Sequence, residues 1–187
     1  MLGPVARGVP ERITPIAITM AGLVVGLGAA VTAGMGLFWI AVGLWLLNRL
    51  LDGIDGTLAR LRGRQTDFGG YVDLLADFVV YAAIPIGVAA HLSTIAAWIA
   101  ASALLATFYV NTISWSFLSA VLARRGREGS AHTSIAMPGG LVEGAETVVL
   151  FTLILAMPGL ALALMWIMAG AVALTALQRL AWAYRTL

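Results

Sequence analysis

Asn48-Arg49-Leu50-Leu51-Asp52-Gly53-Ile54-Asp55-Gly56-Thr57-Leu58-Ala59-Arg60, then Leu61-Arg62-Gly63-Arg64-Gln65-Thr66-Asp67-Phe68-Gly69, and beyond it Asp73 and Asp77: this stretch places acids and arginines inside a sequence that is otherwise apolar. The runs on either side, Gly36–Leu47 and Phe78–Ala90, carry no charge at all. Two apolar runs joined by an arginine-rich turn read as antiparallel helices that meet at water.

The rest of the chain extends that reading. Of 187 residues, 61% are hydrophobic and 11% charged, where a soluble domain carries about 25% charged. An apolar helix needs about 20 residues to span a bilayer. The expected fold is therefore all-α and polytopic, a single membrane domain over 1–187 without a soluble appendage. Its six transmembrane helices fall at roughly 14–31, 36–60, 68–90, 94–122, 135–156 and 160–182. Residues 1–13 form a cytoplasmic or interfacial segment in which Gly3, Pro4, Gly8 and Pro10 argue against a regular helix. That segment has no apolar core and does not read as a cleaved signal peptide. Cysteine is absent, which excludes disulfides and thiolate metal ligands.

All eleven basic residues are arginine, and their placement fixes the expected orientation. The connections at 32–35, 91–93 and 157–159 contain none. The alternate set holds Arg7 and Arg12, then Arg60, Arg62 and Arg64, then Arg124, Arg125 and Arg127, and finally Arg185. The positive-inside rule then predicts a cell-membrane protein with both termini in the cytoplasm.

Five aspartates, Asp52, Asp55, Asp67, Asp73 and Asp77, fall in this one region. On insertion scales an Asp costs about 2.5–3.5 kcal/mol at a helix centre and less near the interface. Asp52 and Asp55 are three apart and Asp73 and Asp77 four apart, so each pair shares one helix face. Two such pairs on neighbouring antiparallel helices make an all-oxygen cluster, the donor set of Mg²⁺ or Mn²⁺. Gly56, Ala59 and Gly69 lack bulk beside it, which lets a ligand approach the backbone. Arg60, Arg62 and Arg64 supply rim charge suited to phosphate. Asp67 follows Thr66 at a helix start and reads as a capping and dipole residue.

The stretch matches the signature D-x2-D-G-x2-A-R-x8-G-x3-D-x3-D through Asp52, Asp55, Gly56, Ala59, Arg60, Gly69, Asp73 and Asp77. In this it resembles the CDP-alcohol phosphotransferase family. Thr14-Pro15-Ile16-Ala17-Ile18-Thr19-Met20-Ala21-Gly22 is similar to the family's first-helix T-P-N-x-I-T-x-x-G pattern, with Ile16 in place of Asn, which removes the polar contact of that position. The resemblance implies transfer of a phosphoryl-alcohol group from a CDP-alcohol to an acceptor hydroxyl, with release of CMP. It implies two divalent ions, Mg²⁺ or Mn²⁺, held by Asp52, Asp55, Asp73 and Asp77, and a general-base role for Asp77. Gly56, Ala59, Arg60, Thr66, Thr19 and Gly69 fall on the CDP-alcohol side. It also implies a homodimer with its polar cavity at the cytoplasmic ends of transmembrane helices 2 and 3. CDP-diacylglycerol is the expected donor, and phospholipid synthesis the expected role.

Other charged residues have two readings each. Arg49 is three residues from Asp52 and positioned either to neutralise it, the favoured reading, or to contact substrate. Glu143 and Glu146 face the cavity either to touch the acceptor or to pair with an arginine such as Arg179. Arg124, Arg125, Arg127 and His132 form a basic loop for anionic headgroups or for an acceptor phosphate. Basic residues favour glycerol phosphate or inositol phosphate as acceptor, whereas Glu143 and Glu146 favour a hydroxyl-rich or cationic one. Pro138, Gly139 and Gly140 mark a break at the entry to the fifth span. The competing function is a small ion-coupled transporter or divalent-metal permease. Clustering of the acids near one face, without an internal repeat, argues against it.

Overall fold

The computed structural model describes residues 3–125 and 140–187, and all regular structure among them is helical. A short α1 (Gly3–Arg7) precedes α2 (Pro15–Gly34), α3 (Phe38–Leu61), α4 (Asp67–Leu92) and α5 (Ile95–Arg124). Then come α6 (Gly144–Ala156), a single 3₁₀ turn (Pro158–Leu160) and α7 (Ala161–Thr186). Expected spans 14–31, 36–60, 68–90, 94–122 and 160–182 each coincide with one long helix, α2, α3, α4, α5 and α7.

Local chemistry sets the ends. Thr14, Thr66 and Thr94 cap α2, α4 and α5, each hydroxyl accepting a first-turn amide at 3.0–3.2 Å. Such caps satisfy donors that a helix leaves free. α3 ends where Gly63 takes φ +59, with Gly63 N donating to Arg60 O at 3.3 Å and Arg64 N to Ala59 O at 3.0 Å. This paired closure reverses the chain within a few residues and brings the ends of α3 and α4 together.

Two expectations are corrected. Residues 3–7 are helical despite Gly3 and Pro4, because proline in a first turn lacks only an N–H that has no helical partner. Ala6 gains burial there against Ile18, Ile54 and Leu58. Within the fifth span, expected from residue 135, the described residues 140–143 are not helical and α6 starts at Gly144. Gly140 N donates instead to Glu143 Oε1 at 2.7 Å, and Val142 N to Thr175 Oγ1 at 3.0 Å, so both amides are satisfied outside a helix. Residues 135–139, with Pro138 and Gly139, lie outside the described residues, as do Arg127 and His132.

α2 packs against both α3 and α4, and α5 packs against α7. α2 presents small buried residues, Gly22, Gly26, Ala29, Ala30 and Ala33, which let backbones come close. At Gly87 of α4 a Cβ would fall on the carbonyl of Ala30. Gly87→Ala is therefore expected to destabilise the fold by about 1–3 kcal/mol through overpacking. A lower unfolding temperature in detergent is the check, and an unchanged one would deny the close approach. Trp45, Val80, Ile84, Leu104, Phe151 and Met165 are fully buried between the helices, and Trp45 Nε1 ties α3 to α6 through Thr152 Oγ1 at 3.1 Å.

The outward faces are apolar as well. Trp39 is 79% exposed, Ile95 81% and Phe117 70%, a surface that suits hydrocarbon and not water. Among the described residues, four helical segments, α2, α4, α5 and Pro158–Thr186, are long and apolar enough to cross a membrane. α3 is 24 residues long but carries Arg49, Asp52, Asp55 and Arg60, and the described part of α6 has 13 residues. The chain is a helical membrane protein.

Candidate active site

The last turns of α3, the first turns of α4 and the start of α2 converge at one end of the fold. A carboxylate oxygen from each of Asp52, Asp55 and Asp73 lies within 4.8 Å of the others. The i,i+3 pair on α3 reaches across to α4, as face-sharing requires. Asp55 is 3% exposed, and its Oδ2 accepts a hydrogen bond from Thr19 Oγ1 at 2.6 Å. Thr19, expected on the CDP side, thus also fixes the orientation of a carboxylate.

Asp77 lines the same small recess as Asp52, Asp55 and Asp73 but is held from another side. Arg49 Nη2 pairs with Asp77 Oδ1 at 2.5 Å, and Tyr81 OH donates to Asp77 Oδ2 at 3.3 Å. Arg49 Nη1 lies 3.7 Å from Asp52, so the expected contact with Asp52 is present but is the looser of the two. Arg49 also donates to Asn48 Oδ1 at 2.8 Å and to Tyr81 OH at 2.9 Å. Its guanidinium sits 4.8 Å from the Trp45 ring centroid and 5.2 Å from that of Tyr81. Those aromatic faces favour a desolvated cation. Asn48, 3% exposed, is anchored to Gly22 O at 2.9 Å. One partly buried arginine thus offsets part of the repulsion among four carboxylates.

Beside the carboxylates opens a cavity of about 640 Å³. Every residue expected on the CDP side lines it: Thr19, Gly56, Ala59, Arg60, Thr66 and Gly69. So do Ile16, Asp55 and Asp73. Its volume suits a nucleotide-sized ligand. Arg60 and Arg64 border it, but Arg62, expected at the phosphate rim, does not. It turns away and donates to backbone carbonyls of the N-terminal segment.

Glu143, Glu146, Arg124 and Arg125, expected near the acceptor, do not line these spaces. Glu143 Oε1 accepts from Gly140 N, and Glu146 Oε2 accepts from Glu143 N at 3.1 Å, so both serve the start of α6. Neither pairs with Arg179, whose Nη1 instead donates to Asn111 O at 3.1 Å and Asn111 Oδ1 at 2.8 Å. Arg124 ends α5, and Arg125 Nη1 donates to Leu187 O at 3.0 Å.

The family model for CDP-alcohol phosphatidyltransferase matches residues 11–177. The chain belongs to the CDP-alcohol phosphatidyltransferase family. Members are enzymes, and the carboxylates and the cavity-lining residues fall within the matched span. Inner membrane protein YnjF of Escherichia coli is 39% identical over 75% of this chain and 68% of its own length. The phosphatidylinositol phosphate synthase of Corynebacterium glutamicum is 32% identical over 95% of this chain and 81% of its own. Among solved structures, the Mycobacterium tuberculosis phosphatidylinositol phosphate synthase in complex with manganese and citrate superposes with a TM-score of 0.76. It is 25% identical and covers 98% of this chain and 89% of that one. The same enzyme with CDP-DAG bound gives 0.75, at 26% identity over 97% and 92%.

Tyr81 is the site residue that reading the sequence overlooked. Its position four residues beyond Asp77, on the same face of α4, was the available signal.

Proposed function

We propose that this phosphatidyltransferase moves the phosphatidyl group of CDP-diacylglycerol to the hydroxyl of a small alcohol and releases CMP. The observation that carries the reading is the convergence of three carboxylate oxygens within 4.8 Å, those of Asp55 and Asp73 on the wall of a cavity that Thr19, Gly56, Ala59, Arg60, Thr66 and Gly69 also line. That spacing fits oxygens each about 2.0–2.6 Å from a shared hard cation. Asp52, Asp55, Asp73 and Asp77 would hold the divalent ions, Mg²⁺ or Mn²⁺. Bound there, such ions neutralise pyrophosphate charge and stabilise the attacking and leaving oxygens of the displacement. The manganese held by the solved M. tuberculosis synthase and its complex with CDP-DAG support both assignments.

The protein's own groups then have distinct tasks. Gly56, Ala59 and Gly69 offer close backbone approach to the CDP group, while Arg60 and Thr66 offer donors. Asp77 accepts the proton of the acceptor hydroxyl as its oxygen bonds to the lipid-side phosphorus. The bond from that phosphorus to the bridging oxygen breaks, and CMP leaves with the electron pair. Arg49 and Tyr81 hold the Asp77 carboxylate in place.

Residues 1–187 act as one membrane domain of six spans, α2 to α7, in the cell membrane with both termini cytoplasmic. The active site then lies at the cytoplasmic ends of transmembrane helices 2 and 3, which are α3 and α4. Arginines at the ends of α3, α5 and α7 and their absence from the opposite turns support this orientation. The protein works as a homodimer, as the resemblance to the family implies.

With Glu143 and Glu146 engaged at the start of α6, the ground for a cationic acceptor falls away. The phosphatidylinositol phosphate synthases among the relatives favour a phosphorylated polyol. Incubating the purified protein with CDP-diacylglycerol, Mn²⁺ and a panel of inositol phosphate, glycerol phosphate, serine and inositol tests this. CMP release with a phosphorylated polyol is expected; release with none of the panel would overturn the proposal.

Thr19 provides a second check. Thr19→Val keeps the shape but removes the hydrogen bond to Asp55, and should weaken Mn²⁺ binding by roughly 10–100-fold. Titration calorimetry reads this directly, and equal affinity would mean that Thr19 does not orient the ligand.

A further inference from the structure

Arg62 stands outside the family signature and outside the cavity, yet its guanidinium makes three hydrogen bonds. Nη1 donates to Ile13 O at 2.7 Å, and Nη2 donates to Val9 O at 2.6 Å and Pro10 O at 3.1 Å. All three carbonyls belong to the irregular stretch between α1 and α2. α1 has five residues, too few to persist as an isolated helix. An apolar cluster of Ala6, Ile18, Ile54 and Leu58, with Val9 and Leu51 against it, holds one side of the segment. Arg62 holds another from the C-terminal end of α3.

The chain runs from these carbonyls straight into the cavity wall. Immediately after Ile13 come Thr14, Pro15 and Ile16, which line the cavity together with Gly56 and Ala59 of α3. Arg62 thereby ties one wall of the cavity to the helix end that forms another. A planar guanidinium can serve three carbonyls spread over five residues, where a lysine ammonium acts as a single point charge.

We propose that Arg62 is a positioning residue that sets donor affinity by pinning the N-terminal segment and, through it, the Thr14–Ile16 wall of the CDP-alcohol cavity. The inference rests on the donor reading of that cavity. Arg62 touches neither the carboxylates nor the reacting atoms, so its loss should alter donor binding selectively.

The test uses the full chain in detergent, with Arg62→Ala and Arg62→Lys compared to wild type. The readings are KM for CDP-diacylglycerol, KM for the acceptor, kcat and Mn²⁺ affinity. Arg62→Ala is expected to raise the donor KM roughly tenfold with kcat, acceptor KM and Mn²⁺ affinity within about twofold, the signature of lost uniform binding. Arg62→Lys should fall between the two. Should Arg62→Ala fail to fold, an unchanged donor KM in Arg62→Lys overturns the proposal on its own. A parallel loss of kcat and Mn²⁺ affinity also overturns it, because that pattern reports general disruption. Wild type inactive with every donor refutes the donor reading and this inference together, whereas active wild type with an unaltered variant refutes the role of Arg62 alone.

Discussion

Asp77→Asn is expected to lower kcat by about 10²–10⁴-fold, the range supplied by a positioned general base, while CDP-lipid binding stays near the wild-type value. The side chain keeps its shape and can still accept a hydrogen bond from Tyr81, but an amide cannot take the hydroxyl proton. Asp77 also stands apart from the trio of Asp52, Asp55 and Asp73, being held by Arg49 and Tyr81. Binding is thus the quantity least affected. Calorimetric titration with CDP-diacylglycerol beside a CMP-release assay separates the two. A fall in binding equal to that of Asp52→Ala would assign Asp77 to ligation and not to base catalysis.

The second large effect belongs to Asp52→Ala. Asp52 supplies one of the three converging oxygens and also lies 3.7 Å from Arg49. Removing it takes a ligand from the proposed ion site and leaves Arg49 with Asp77 as its remaining carboxylate partner. Mn²⁺ affinity is expected to fall by more than the roughly 100-fold that a supporting contact supplies, and turnover with it. Mn²⁺ titration followed by electron paramagnetic resonance gives the affinity. Wild-type Mn²⁺ binding in Asp52→Ala would remove the residue from the site.

The parts of this site that are legible in the sequence are those governed by spacing within one helix. Asp52 with Asp55, and Asp73 with Asp77, share faces because of helical periodicity, and a basic turn between apolar runs brings the two helices together. Thr66 and Thr14 announce helix starts through their position before apolar runs. Contacts between helices are less accessible. Arg49 lies one turn from Asp52, yet its shorter contact is to Asp77 on α4. The crossing of α3 and α4 decides that preference, and no local pattern encodes it. Glu143 and Glu146 read in sequence as cavity residues because unpaired acids in an apolar context are costly. Their three-residue spacing also allows a capping arrangement, and the free amides at the start of α6 claim them. Arg62 is indistinguishable in sequence from Arg60 and Arg64 as rim charge. At the C-cap of α3 it is drawn instead to the carbonyls of a segment about fifty residues earlier.

On the proposed function these carboxylates serve cleavage of a CDP-alcohol pyrophosphate and not passage of a cation. The most direct measurement sets CMP release from CDP-diacylglycerol, by the purified protein with an acceptor present, against divalent-cation flux in liposomes containing the same preparation. We expect CMP release that stops with chelator, returns with Mn²⁺ or Mg²⁺, and matches the phospholipid product one for one, without flux above empty liposomes. Cation flux without metal-dependent CMP release from any CDP-alcohol and acceptor pair would contradict the account.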